Sequence, residues 1–337
     1  MKQSITAVIL AAGKGTRMKS TRAKVLHEAF FRPMLHHVLD AAGTAGVDRC
    51  AVIVGHQREE VLRSLGDKRV TPVVQEEQLG TGHAMLCAEA ACGQADLVLI
   101  LCGDTPLIRA STLRTMIAEH QRRQATLTLM TTRLDQPFGY GRIISDARGA
   151  VQAIVEEKDA SSEQRAIDEI NAGIYLAERN FLFHALRQVG ADNSQGEVYL
   201  TDIVAIANRQ GVRVEAFVHP EAIDVLGVNS RIELAQAHAV LQARRNAALM
   251  LAGVTMYAPE TILIAPDCAI GQDTIIDANV QITGHSTVGR DCRLAAGCVL
   301  RDCVIGDGAR IGEHAVLERC QIPAGAVIPP LTSGTGA

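Results

Sequence analysis

Leu10-Ala11-Ala12-Gly13-Lys14-Gly15-Thr16-Arg17-Met18, with Lys24 shortly after it, is the stretch on which the reading of this chain turns. Ile5 to Leu10 is an apolar run interrupted only by Thr6, the pattern of a strand buried on both faces of a parallel sheet. The segment after Leu10 is small, glycine-rich and cationic, and reads as a turn opening a helix. Two glycines let a ligand approach the backbone, and the free amides at a helix start attract anions. Arg17 and Lys24 add positive charge on that side, a combination suited to a nucleoside triphosphate. Two better-defined phosphate motifs fail. A G-x-G-x-x-G fingerprint needs glycine where Met18 stands, and no Gly-Lys-Ser/Thr comes at Walker A spacing. Taken alone, the turn fits an ordinary strand-turn-helix with a surface Arg equally well.

Outward from the turn, Ala51-Val52-Ile53-Val54 and Leu97-Val98-Leu99-Ile100-Leu101 are further strand-length apolar runs. Pro33 to Ala42 and Thr81 to Ala91 carry helical spacing between them. The alternation implies a Rossmann-like α/β domain, a mostly parallel sheet covered by helices, reaching roughly to Phe217. Gly13-Gly15, Gly55 and Gly103-Asp104 each come after a strand, so they gather at the carboxyl edge where such sheets bind ligands. Ser230-Arg231-Ile232-Glu233 is a capping box opening an Ala- and Leu-rich helix that stops at Gly253. About 20 residues of helix span ~30 Å, the length of a rigid connector.

Beyond it the texture changes. Ile264, Ile270, Ile276, Ile282, Val288, Leu294 and Leu300 recur every six residues; after a one-residue slip come Ile305, Ile311 and Leu317, and after another Ile322 and Ile328. Small residues or Cys often sit four places on, as at Cys268, Val280, Ser286, Cys292 and Cys298. A hexapeptide period implies a parallel β-helix, and the slips fall where a corner loses a residue. The expected boundaries are 1–229 for the α/β domain, 230–252 for the helix, 253–330 for a short β-helix and 331–337 for a tail.

The chain has 337 residues, 47% of them hydrophobic, enough for two or three domains with real cores. Its formal charge is -4 with scattered basic residues, which argues against a nucleic-acid groove. No run approaches the roughly 20 apolar residues of a membrane span, and no signal-peptide pattern precedes the first strand; the expectation is a cytoplasmic protein without a membrane partner. Nine cysteines without a C-x-x-C pair read as packed free thiols. With no Trp and 3% aromatic residues, a base or sugar must be held mainly by backbone and amide contacts. His36 and His37 are adjacent on a helix and point apart, and His27 and His83 are assigned structural roles.

The turn, continued by Lys24-Val25-Leu26-His27, strongly resembles the signature of sugar-1-phosphate uridylyltransferases, and most closely the N-acetylglucosamine-1-phosphate uridylyltransferase half of a bifunctional bacterial enzyme. The resemblance continues through Gln75, Gln78-Leu79-Gly80-Thr81-Gly82-His83-Ala84, Gly103-Asp104 and Gly139-Tyr140-Gly141-Arg142-Ile143. It runs on through Val155-Glu156, Glu169-Ile170-Asn171, Gly196 to Asp202 and Gly227-Val228-Asn229. It implies a nucleotidyltransferase domain joined to a left-handed β-helix, making UDP-N-acetylglucosamine for cell-envelope polysaccharides from UTP and N-acetylglucosamine 1-phosphate. By analogy the β-helix forms a homotrimer.

In that reaction the nucleophile is already an anion, so positioning and electrostatics matter more than a general base. Arg17 and Lys24 are the candidates for gripping the triphosphate and stabilising departing pyrophosphate. Mg²⁺ takes oxygen ligands and keeps waters, so few protein ligands suffice. Asp104 supplies a carboxylate at the end of a strand, and the resemblance adds Asn229 as the second ligand. It also assigns Leu10, Ala11, Ala12, Gly13, Gln75, Gly80 and Thr81 to the uridine side, where Thr81 is also placed to cap the helix it begins. Gly103, beside the metal carboxylate, is assigned to substrate binding as well. Gly141, Glu156 and Asn171, with Tyr199 and Thr201 as weaker candidates, are assigned to the sugar.

Two positions depart from the resemblance: Cys102 stands where Tyr is common, and Ala23 where Pro usually precedes the lysine. The hexads end near Ile328, before the coils that carry the acetyltransferase site in the bifunctional relative, so acetyl transfer is not expected. The alternatives are another sugar 1-phosphate or dTTP as substrate, a non-catalytic nucleotide-sugar-binding regulatory subunit, and a β-helix acyltransferase.

Overall fold

A computed structural model of the chain describes residues 3–66 and 68–336. It resolves into two compact units, one of residues 1–28 with 32–234 and one of residues 29–31 with 235–337.

The first unit is built on a nine-stranded sheet. Its main path runs Val214–Val218, Leu127–Arg133, Glu169–Glu178, Leu97–Cys102, Ile5–Leu10, Arg49–Val54, Thr71–Val74. Ile5–Leu10 pairs in parallel with both its neighbours, and the long strand Glu169–Glu178 runs antiparallel between two others. The short hairpin Arg142–Ser145 and Val151–Val155 joins that strand through Ile170. The sheet is therefore mixed, parallel where the glycine-rich turn lies.

The apolar runs are explained by burial on both faces. Ile5, Ala7 and Ile9 pack with Leu97, Leu99 and Leu101 against Leu35 and Val38 of the helix Met34–Ala45. The alternate residues Val8, Val98 and Ile100 face Ala84, Met85 and Phe183 on the other side. At about 25 cal/mol per Å² of apolar surface, such two-sided burial dominates the stability of this unit. The helix expected over Thr81 to Ala91 is two shorter ones, Thr81–Cys87 and Glu89–Cys92, broken at Ala88.

In the second unit, three sheets of stacked two- or three-residue strands form a three-sided parallel β-helix. Each strand pairs with the strand three further on, so Leu263 meets Gln281 and Ile275 meets Arg293, 18 residues apart. From Thr287 with Val304 onward the interval is 17, because Asp302 and Arg319, both at positive φ, turn their corners with one residue fewer than the corner at Gly284. Every hexad position from Ile264 to Ile328 lies in a strand and in, or packed against, one apolar column. The cysteines Cys268, Cys292, Cys298 and Cys303 join that column, and burial pushes the Cys298 thiol up to about 12. All nine cysteines are free.

The capping box is formed: Glu233 N donates to Ser230 Oγ at 3.2 Å and Ser230 N to Glu233 Oε2 at 2.9 Å. Its helix, Arg231–Leu251, is more than a spacer. In its second half Gln242 and Asn246 donate to Ile262 O at 2.8 and 2.9 Å, and Arg245 donates to Cys268 O. Those carbonyls lie in the first coil, where no preceding coil is present to pair with them, and the helix supplies donors instead.

Candidate functional site

The carboxyl ends of the neighbouring strands Ile5–Leu10 and Leu97–Cys102, with the segment that follows Thr71–Val74, open on a cavity of about 560 Å³. The glycine-rich turn forms one wall. Its backbone is tied down at the start, with Ala11 N donating to Ile53 O at 2.9 Å and Gly103 N to Leu10 O at 2.9 Å. The turn does not open an α-helix as its sequence suggests. Thr16–Met18 is one turn of 3₁₀ helix, and Lys24–Leu26 is another. Without a full helix there is no sustained macrodipole at this point, so the positive field comes chiefly from side chains. Gly15 is required for a reason internal to the protein. It holds φ 58°, and a Cβ there would lie 2.5 Å from Lys24 Cβ. The lysine stem is laid across the glycine.

The charged centre joins four residues from three distant parts of the sequence. Lys24 Nζ donates to Asp104 Oδ2 and, at 2.6 Å, to Asn229 Oδ1. Arg17 Nη2 reaches the same Asn229 oxygen at 2.8 Å. Asn229 is oriented from behind, its Nδ2 donating to Gly227 O at 3.0 Å, and Val228 N donates to Asp104 O at 2.8 Å. The Lys24 and Asp104 side chains are 14% and 21% exposed, so the pair is largely withdrawn from solvent. Among the described residues no group of three or more His, Cys, Asp or Glu side chains is arranged to hold a metal ion. One carboxylate and one carboxamide oxygen converging on a cation do fit a hard divalent ion, which keeps several waters and completes its shell with substrate phosphate.

Leu10, Ala11, Ala12, Gly13, Arg17, Lys24, Gln75, Gly80, Thr81, Asp104 and Asn229 all line the cavity. Gln75 is buried, and its Nε2 lies 3.1 Å from both Gly80 O and His83 Nδ1, so His83 helps to orient the amide. Gly80 has φ 108°, and a Cβ there would come within 2.5 Å of Val198 O, which makes glycine obligatory. Thr81 does not cap its helix. Gly80 occupies the N-cap, and Thr81 Oγ1 accepts from Leu200 N at 3.0 Å, stitching the helix to the segment that carries Tyr199 and Thr201.

Gly103, Gly141, Glu156, Asn171, Tyr199 and Thr201 do not line this cavity. Gly103 is buried behind it, against Leu10 O and Val25. Several of the others form a second cluster. Thr201 Oγ1 donates to Glu156 Oε1 at 3.2 Å, Asn171 N to Gly141 O at 2.9 Å, and a Cβ on Gly141 would touch the Glu156 carboxylate at 3.4 Å. Burial raises the Glu156 carboxyl above the ordinary range. Tyr199 OH accepts from Gln195 Nε2 at 2.7 Å.

Gly15, read from sequence as a point of close ligand approach, lines the cavity too; Lys14, Thr16, Val25, Gln78, Ala84, Cys102 and Glu197 also line it, although sequence reasoning assigns none of them a role there. Their position inside or beside the matched motifs is the signal that could have found them. Cys102 Sγ donates to Gly173 O at 3.4 Å, at the bulge in Glu169–Glu178. Burial, then the nearby Asp104 carboxylate, pushes its thiol up to about 12, so it stays protonated.

A glycine-rich turn at the carboxyl edge of parallel strands, facing two cations and a carboxylate, suits a nucleotidyltransferase. Residues 7–171 match the family of MobA-like NTP transferase domains, and residues 267–302 match the bacterial transferase hexapeptide family (six repeats). A protein of Desulfotalea psychrophila named bifunctional protein GlmU is 50% identical over 328 residues, covering 96% of each chain. Bifunctional protein GlmU of Trichlorobacter lovleyi is 45% identical over 327 residues, 96% of this chain and 71% of that one. That of Pelobacter propionicus is 44% identical over 331 residues, 98% of this chain and 72% of that one. The chain belongs to the GlmU family. Among the described residues no helix is long and apolar enough to cross a membrane.

Proposed function

We infer that this chain transfers the uridylyl group of UTP to N-acetylglucosamine 1-phosphate, releasing pyrophosphate and UDP-N-acetylglucosamine. The observation that carries this reading is the convergence of Arg17, Lys24, Asp104 and Asn229 beside the glycine-rich turn in a chain of the GlmU family.

A phosphate oxygen of the sugar attacks the α-phosphorus of UTP, and the bond from that phosphorus to the bridging oxygen of pyrophosphate breaks. No proton has to be removed from the nucleophile. The protein must bring two polyanions together and offset the charge that grows on the leaving group, which fixed cations in a partly dehydrated site do well. Arg17 and Lys24 are assigned to that task. Leu10 to Gly13, Gln75, Gly80 and Thr81 are assigned to the uridine part, where the paired donor and acceptor of an amide suit a pyrimidine edge. Gly141, Glu156 and Asn171, backed by Thr201 and Tyr199, are assigned to the sugar, with Gly103 supporting the strand end.

Asp104 and Asn229 would hold the divalent ion, taken to be Mg²⁺, which supplies charge neutralisation of the phosphates when bound. We further propose a homotrimer through the β-helix and a cytoplasmic location. The test is pyrophosphate release from UTP and Mg²⁺ with N-acetylglucosamine 1-phosphate, glucose 1-phosphate or glucosamine 1-phosphate. Fast release that requires the N-acetylated sugar is expected. Preference for another sugar moves the specificity, and no release with any of them overturns the catalytic reading in favour of a regulatory binding protein.

A further inference from the structure

The most telling contact in the site is that a cation already sits between the two oxygens assigned to the metal. Lys24 Nζ donates to both Asp104 Oδ2 and Asn229 Oδ1, and Arg17 shares the latter oxygen. Neither acceptor is loosely placed. Asn229 is held through its own Nδ2 on Gly227 O, and the backbone of Asp104 is tied to Val228. We propose that Lys24 is an exchangeable stand-in for the divalent ion: without nucleotide its ammonium fills the position between Asp104 and Asn229, and it must leave before the metal can take both oxygens. This rests on the assignment of Asp104 and Asn229 as metal ligands.

The lysine is built for such an exchange. Its stem is anchored over Gly15, where an added Cβ would meet Lys24 Cβ, Cγ and Cδ at 2.5, 3.2 and 3.3 Å. Movement is thereby confined to the tip of the side chain. The glycine-rich turn under that stem lines the same cavity as Asp104. A triphosphate bound along the turn offers the ammonium a new anionic partner within reach of the same anchored stem. Nucleotide then draws the lysine off the two oxygens, and metal on those oxygens leaves the lysine free for phosphate. Because binding linkage is reciprocal, each ligand raises the affinity for the other to the same degree. Before nucleotide arrives, the ammonium compensates the partly buried Asp104 carboxylate.

The test is Mn²⁺ binding to the full chain without nucleotide, read as loss of the free-ion electron paramagnetic resonance signal. Lys24→Met is expected to bind Mn²⁺ at least tenfold more tightly than the parent, Lys24→Gln to behave similarly, and Lys24→Arg to stay as weak as the parent. Adding Asp104→Ala to Lys24→Met is expected to abolish the gain. Circular dichroism of each variant reports whether the fold is kept, and Lys24→Gln carries the test if Lys24→Met fails to fold. If neither neutral variant binds more tightly than the parent, while Asp104→Ala still weakens Mn²⁺ binding in the presence of UTP, the exchange is wrong and the ligand assignment stands. If Asp104→Ala changes Mn²⁺ binding in no background, both are wrong.

Discussion

The two units of this chain make opposite uses of sequence. In the β-helix each residue's place is fixed by neighbours one coil away, and the same demand recurs every 17 or 18 residues. In the sheet unit the functional centre draws on positions 17, 24, 104 and 229, each held by different local structure. A repeat advertises itself because one pattern is written many times; a convergent site is written once, in pieces. The interiors differ as well. Among the described residues, the column of the β-helix is aliphatic side chains and thiols, and the few buried polar groups of that unit, Asn246, Thr274 and Ser286, all donate to nearby carbonyls. The sheet unit buries Gln75, His120 and Arg142.

The sharpest way to break this contrast is at the site. Arg17→Ala is expected to lower turnover about 10²- to 10³-fold with little change in thermal stability, since the guanidinium is exposed and its loss removes charge aimed at the leaving group. Steady-state pyrophosphate release beside a melting curve measures both. A loss of stability with intact turnover would reverse the roles drawn for the two units.

In the β-helix the expectation runs the other way. Leu300 is fully buried between Ile282 and Leu317 of the adjacent coils. Leu300→Ala should cost about 3 kcal/mol through lost burial and a cavity. Denaturant unfolding checks the figure, and a change below about 1 kcal/mol would mean the column is loosely packed.

The smallest effect concerns acid. Burial lowers His120 from 6.5 to about 4, and its Nδ1 lies 2.8 Å from Thr128 Oγ1. A histidine depressed in the folded state takes up its proton more readily when unfolded, so stability falls as pH drops below about 6.5. Between pH ~6.5 and ~5 the loss should be about 1.5 kcal/mol. His120→Asn, which keeps a polar atom near Nδ1, should flatten that slope. An unchanged slope would place the acid sensitivity elsewhere.

The sheet strands and the hexad column are readable from sequence because apolar pattern and burial are the same physics seen twice. Thr81 shows where that ends. Its type and place suggest a cap, yet Gly80 holds the cap position and the hydroxyl serves Leu200, 119 residues away. The turn after Leu10 likewise reads as a helix start, but the structure makes two separate single turns of 3₁₀ helix. The demand on Gly15 comes from the stem of Lys24, a partner that no local pattern reveals. Phe30 and Phe31, both at positive φ, carry no sequence signal of that conformation.

Single-turnover pyrophosphate release by Asp104→Ala across a range of Mg²⁺ concentrations tests the central claim most directly. The account requires a fall of at least about 10²-fold in rate at every Mg²⁺ concentration, with the fold intact. A variant that turns over at the parent's rate with the parent's Mg²⁺ dependence would contradict it.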